Sequence, residues 1–166
     1  MRIILINPPP YQRVDEYDTP DFTRLGLAYL AGQLLTRPEC KVEIIDAKFE
    51  RLEDHQVMER VRQFGPDIVG LTAFTNEIKP AARIAKQVKH LSSNIHTVIG
   101  GVHLSALPHE TMIEFPEFDY GVNGEGEITF QELCYALHLD TSLSGIDGLV
   151  YRQDDKIVQT GERERI

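Results

Sequence analysis

Cysteine is scarce in this chain, with two among 166 residues, and Cys40 and Cys134 stand far apart. No Cys-x-x-Cys and no Cys/His cluster occurs. That excludes a disulfide framework and a zinc site, and leaves both thiols as reduced packing residues. Long apolar runs are lacking too, since nothing approaches the roughly 20 residues of a membrane span. Met1-Arg2-Ile3-Ile4-Leu5-Ile6 meets three prolines well short of a signal peptide's apolar stretch. The protein is therefore expected in the cytoplasm, with no membrane partner. Cations are in deficit, 17 Lys and Arg against 26 Asp and Glu, for a formal charge of -9. Scattered as they are, they argue against nucleic acid or an acidic membrane surface as partner.

Several nucleotide and nucleophile signatures are also missing. A dinucleotide site needs Gly-x-Gly-x-x-Gly after the first strand, where this chain has Asn7-Pro8-Pro9-Pro10. Without that turn, Asp46 reads as a cap or surface acid and not as a ribose ligand. Gly-x-x-x-x-Gly-Lys-Ser/Thr and Gly-x-Ser-x-Gly are absent as well.

What is present is a globular composition, 42% hydrophobic and 26% charged, at a length suited to one domain. The unalternated apolar run Ile3–Ile6 reads as a central parallel strand covered on both faces, and Val42–Asp46, Ile68–Leu71 and Thr97–Ile99 as further strands, with a fifth at Phe118–Val122 interrupted by Gly121. Helical spacing joins Leu27, Leu30, Ala31, Leu34 and Leu35, with Asp21 or Thr23 as cap and Gly26 and Gly32 allowing close approach to a neighbour. Further helices follow at Val57–Phe64, closed by Gly65-Pro66, at Ile78–Leu91, from Pro108 to about Phe115, and at Phe130–Leu137. The alternation predicts an α/β fold, a doubly wound five-stranded parallel sheet of flavodoxin-like order 2-1-3-4-5. A β-hairpin, Leu149–Tyr151 with Ile157–Val158, is expected as an appendage. The division is a Rossmann-like domain over 1–145 and a hairpin and linker over 146–166.

Ligands of such sheets bind outside the carboxyl ends of the strands. Thr72-Ala73-Phe74-Thr75-Asn76, Gly100-Gly101-Val102-His103 and Asn123-Gly124-Glu125-Gly126-Glu127 are the turns on that edge. They suit a large flat or extended ligand, although the same glycines and threonines could simply form tight turns. His103 and His109 read first as hydrogen-bonded structural residues. Glu125 and Glu127 read as helix-start charge before an acid/base pair. The acidic residues of the long loop Asn7–Phe22 read as solvated surface.

Six segments in order carry a resemblance: Ile4-Leu5-Ile6-Asn7-Pro8-Pro9, Leu25-Gly26-Leu27-Ala28-Tyr29-Leu30-Ala31, Val69-Gly70-Leu71-Thr72, Gly100-Gly101-Val102-His103, Ala106-Leu107-Pro108 and Gly124-Glu125-Gly126-Glu127. The chain resembles the amino-terminal cobalamin-binding domain of cobalamin-dependent radical SAM enzymes. Gly148-Leu149-Val150-Tyr151-Arg152 with Lys156-Ile157-Val158 resembles the hairpin that precedes their catalytic barrel. The resemblance implies a corrin over the carboxyl edge and a nucleotide tail between the strands. Its cofactor-binding candidates are Thr72, Thr75, Gly100, Gly101, Val102, His103, Gly124, Glu125 and Gly126. The Asp-x-His-x-x-Gly motif that supplies an axial histidine in other cobalamin domains is absent. Corrin binding without histidine ligation is thus implied, with loop Asn7–Phe22 toward the lower side of the cobalt. The Cys-x-x-x-Cys-x-x-Cys of a cluster site is also absent. The iron-sulfur cluster and S-adenosylmethionine would belong to a barrel in cis or trans, where methyl transfer or related radical chemistry takes place. This chain is expected to supply cofactor binding, without catalytic residues or metal ligands of its own. The alternative is a stand-alone binding or scaffold module holding a flavin, a partner protein or no cofactor. At Gly101, a leucine is expected to enter the cofactor space and abolish binding with the fold intact, unless the glycine serves the backbone alone.

Overall fold

A computed structural model describes residues 1–10, 24–154 and 156–164. Strand β1 (Arg2–Asn7) lies at the heart of the sheet, with Ile3 to Ile6 at most 1% exposed. Successive side chains of a strand point to opposite faces. Ile4 and Ile6 accordingly enter one core with Ile45, Val61, Val69 and Ala85, and Ile3 and Leu5 enter another with Leu34, Ile68, Val98 and Phe130. Both faces are covered, which is why the run carries no polar alternation.

The remaining elements are α1 (Leu25–Leu35), β2 (Lys41–Asp46), α2 (Asp54–Phe64), β3 (Ile68–Thr72), α3 (Ile78–Leu91), β4 (His96–Gly100), α4 (Val102–Ala106), α5 (Pro108–Glu114), β5 (Tyr120–Val122), α6 (Gly126–Leu139), β6 (Leu149–Gln153) and β7 (Lys156–Gln159). The sheet order is β2-β1-β3-β4-β5-β6-β7. The first five strands in this order are parallel, as expected, and β6 and β7 antiparallel. Helices α1 and α6 cover one face, and α2 to α5 cover the other. From β1 the chain goes outward to β2 and then returns to the opposite side of β1 as β3. This reversal puts the switch point of the sheet between β1 and β3.

Local chemistry sets the helix ends. Glu53 and Gln56 make a reciprocal capping box at the start of α2, and Gly65, at φ 60°, closes it in the left-handed conformation. Arg24 holds the cap position of α1, and its side chain makes no capping bond to the helix. Asp21 and Thr23, the expected caps, and most of loop Asn7–Phe22 lie outside the described residues.

Four expectations need correction. The hairpin is no appendage: β6 pairs with β5 and extends the sheet, and the Arg163 guanidinium ties the segment after it to Thr129 and Glu132 of α6. The link after β4 contains a helix, α4. Strand β5 begins at Tyr120, two residues later than Phe118, and its Gly121 is required because a Cβ there would stand 2.5 Å from Val150 Cγ1 and 2.8 Å from Leu104 Cδ1. Gly26 and Gly32 meet no neighbour, since nothing lies within 4 Å of a Cβ built on either.

Among the described residues no helix is long and apolar enough to cross a membrane, and no cluster of three His, Cys, Asp or Glu could hold a metal ion. Cys40 and Cys134 are free and buried in the core beneath α1 and α6. Burial pushes both thiols up, with Glu39 adding to the effect at Cys40 and the Cys40 thiol adding to it at Cys134.

Candidate ligand-binding site

The carboxyl ends of β3 and β4 are fastened to each other. Thr72 pairs with Gly100, Ala73 N donates to Gly100 O at 3.2 Å, and His103 N donates to Ala73 O at 3.2 Å. This close approach explains Gly101. Its φ is +94°, and a Cβ there would stand 2.8 Å from both Ala73 O and Thr72 Oγ1. A side chain at 101 would strike the neighbouring turn, so the expectation that it would enter ligand space is corrected to the backbone reading.

Beside this seam a cleft of about 300 Å3 descends from the edge between α1 and α6. Its position is the switch point, with Leu5 of β1, Gly70 of β3 and Val98 of β4 at its base. Leu27, Leu30 and Phe130 supply apolar walls from the two helices. Missing side chains keep it open. A Cβ on Gly100 would meet nothing nearer than 3.8 Å and one on Gly124 nothing within 4 Å, whereas one on Gly126 would press on the walls, 3.3 Å from Val122 Cγ1 and 3.5 Å from Leu30 Cδ2. Gly26, on the opposite wall, is equally open.

Of the candidates, Thr72, Gly100, Gly101, Gly124, Glu125 and Gly126 line the cleft. Thr75, Val102 and His103 stand outside its walls. His103 is 7% exposed, and its Nδ1 lies 3.3 Å from Thr75 Oγ1, whereas Val102 is 59% exposed. Glu125 takes the cap position of α6, and Glu127 lies in its first turn, consistent with helix-start charge. The Gly124 amide donates to Ser105 Oγ at 3.0 Å, which fixes the last turn.

A polar network at the mouth escaped the sequence. Arg24 lines the cleft, and its Nη2 donates to both oxygens of Glu77, at 2.8 and 2.6 Å. Lys48 Nζ donates to Glu77 Oε1 at 3.2 Å, and Phe74 N donates to Oε2 at 3.0 Å. The guanidinium also lies 4.2 Å from the centre of the Phe74 ring. Asp46 anchors the base of this network. It is 3% exposed and accepts from Asn7 Nδ2 at 2.7 Å, Arg24 N at 3.1 Å and Phe49 N at 3.1 Å. Of the two expected readings, cap or surface acid, the second is overturned, because the carboxylate is buried. Asn7 is fully buried, and its Oδ1 has no partner among the described residues.

The sequence profile of the B12 binding domain matches residues 17–134. The chain belongs to the B12-binding domain family. Its resemblance to the cobalamin-binding domain of radical SAM enzymes is borne out by the relatives of this B12-binding domain. An uncharacterized methyltransferase of Pyrococcus horikoshii is 40% identical over 157 residues, which is 95% of this chain and 34% of the relative. The anaerobic magnesium-protoporphyrin IX monomethyl ester cyclase of Synechocystis is 30% identical over 162 residues, 96% of this chain and 32% of the relative. The radical S-adenosylmethionine methyltransferase TsrM of Kitasatospora setae, solved with cobalamin and a [4Fe-4S] cluster, shares the fold at a TM-score of 0.80 and 23% identity, over 97% of this chain and 29% of that one. The B12-binding domain described here thus spans about a third of the length of its curated relatives.

Proposed function

We propose that this B12-binding domain holds cobalamin with the corrin over the carboxyl edge and the nucleotide tail in the cleft between α1 and α6. The observation that carries this reading is the cleft itself. It opens at the switch point, over a glycine in a central strand, and Gly26, Gly100 and Gly124 leave open the space that Cβ atoms would occupy. At about 300 Å3 it is at the small end of ligand cavities, so it takes one arm of a large cofactor and leaves the macrocycle outside. The rim at Thr72, Thr75, Gly101, Val102 and His103 is the surface left for the macrocycle.

The polar mouth assists from the other side. Arg24, held by Glu77 and stacked on Phe74, fixes the start of α1, while the seam at Ala73 fixes the β3 and β4 turns. These contacts orient the edge before any ligand arrives, which lowers the ordering cost of binding. No histidine reaches the cobalt in this reading, because His103 is buried against Thr75 and Asp-x-His-x-x-Gly is missing. Bound cobalamin supplies a cobalt that carries a methyl group or takes part in radical chemistry. The iron-sulfur cluster, the S-adenosylmethionine and the substrate belong to a radical SAM barrel in cis or trans. TsrM, a radical S-adenosylmethionine methyltransferase solved with both cobalamin and a [4Fe-4S] cluster and more than three times the length matched here, supports that division.

Equilibrium dialysis of the purified chain against cobalamin tests the reading, followed by paramagnetic resonance of the Co(II) form. Saturable one-to-one binding is expected, without axial nitrogen coupling when a cobalamin analogue lacking benzimidazole is used. Absence of binding overturns the assignment. Nitrogen coupling that persists with the analogue overturns the ligand-free lower face.

A further inference from the structure

The chemistry of the cleft changes with depth. Its mouth has Arg24, Thr72, Glu125 and Glu127. Gly70 and Val98 precede Thr72 and Gly100 by two residues on the same face of the sheet, about 7 Å deeper at the usual strand rise. Side chains at that level are apolar: Leu5, Val98 and Phe130, with Leu27 and Leu30 above them. The backbone offers nothing either, because Leu5, Gly70 and Val98 are consecutive partners across the parallel ladder. A ring that reaches the floor finds dispersion contact and no hydrogen-bond partner.

Resting on the corrin reading above, we infer that the cleft selects among cobamides by their lower base, favouring a phenolic or benzimidazole base over a purine. A cresol base linked through its oxygen brings no free donor or acceptor to the floor. Displaced dimethylbenzimidazole brings one ring nitrogen. Adenine brings an exocyclic amine and several ring nitrogens, each stripped of water without replacement. The order of affinity follows the number of stranded polar groups, cresolyl first and adeninyl last. The narrow floor sharpens the choice, since a Cβ on Gly70 would already stand 3.0 Å from Leu5 Cδ2 and 3.2 Å from Phe130 Cζ.

The test is equilibrium dialysis of the whole chain against four corrins, read by their visible absorbance: p-cresolyl cobamide, cobalamin, adeninyl cobamide and tail-less cobinamide. Adeninyl cobamide is expected to bind about tenfold or more weaker than cobalamin. Cobinamide is expected to lose affinity as well. Leu30→Gln places an amide on the half-buried wall and is expected to narrow the gap between cobalamin and adeninyl cobamide. Adeninyl affinity within about threefold of cobalamin overturns the inference. So does cobinamide binding as tightly as cobalamin, which would take the tail out of the cleft and leave corrin binding standing. An unchanged ratio in Leu30→Gln overturns the placement of the base beside α1. Failure of all four corrins to bind instead removes the corrin reading on which the inference rests.

Discussion

Gly70 and Phe130 meet across the floor of the cleft, where the β-carbon that the glycine lacks would stand 3.2 Å from Phe130 Cζ. A residue from the middle of a central strand and one from a helix 60 positions later together set the depth of the site. Gly70→Ala displaces side-chain tips, Leu5 Cδ2 and Phe130 Cζ, that border open space. The variant is expected to fold with stability within about 1 kcal/mol of wild type while cobalamin affinity falls, because the displaced tips move into the cleft. Dialysis and urea unfolding measured side by side check both halves.

Gly101→Leu should behave in the opposite way. The obstacle there is backbone, Ala73 O at 2.8 Å, and φ is +94°. Cofactor-free stability is expected to drop by about 1–3 kcal/mol. Thermal melting without cobalamin decides it, and an unchanged melting point would contradict the seam between the β3 and β4 turns.

Removing Glu77 leaves Arg24 and Lys48 without their shared carboxylate. Its side chain is 7% exposed, against 22% for Arg24 and 17% for Lys48. Glu77→Ala is expected to cost about 3 kcal/mol, as loss of one member of a buried ion pair does. Weaker cobalamin binding should accompany it, since Arg24 stands at the cleft mouth where α1 begins. Denaturant unfolding of the variant provides the first number and dialysis the second.

Asp54 links α2 to α3 through Arg83 Nε, at 2.5 Å, and Gln87 Nε2, at 2.9 Å. Burial opposes its ionisation, but the Arg83 guanidinium outweighs burial and holds the carboxyl below its ordinary 3.8. A lowered folded value means that the pair stabilises the fold above about pH 3.8 and loses that contribution as pH falls through the folded value. Asp54→Asn should therefore be less stable than wild type at pH 7, by about 1 kcal/mol for a partly exposed pair. The two should converge in strong acid. Urea midpoints at neutral and acid pH test the sign directly.

Much of this architecture was legible in the residues. The unalternated run Ile3–Ile6 foretold a strand covered on both faces, and the spacing of Val57, Val61 and Phe64 with Gly65 after them foretold α2 and its end. These features are local, because strand burial, helix periodicity and glycine caps act over a few residues. The glycines at 100, 124 and 126 marked the edge on which the cleft opens for the same reason.

Other features depended on residues far apart in the chain. Gly26 suggests close approach to a neighbour by sequence, yet it lines the cleft, and the contact between α1 and α6 is made farther along, where Gln33 and Gln131 exchange hydrogen bonds at 3.2 and 3.1 Å. Asp46, by sequence a cap or surface acid, is enclosed by Asn7 and Arg24 from two other elements. Gly101 is required by the β3 turn, which lies 2.8 Å from where its Cβ would stand. The sequence by itself determined the strands, the helices and the edge of the sheet that carries the small turns, since each is set by neighbours along the chain. Tertiary structure alone decided the depth of the cleft, the Arg24–Glu77 mouth and which glycines face ligand space, because those are distances between separate elements, fixed by how their side chains pack.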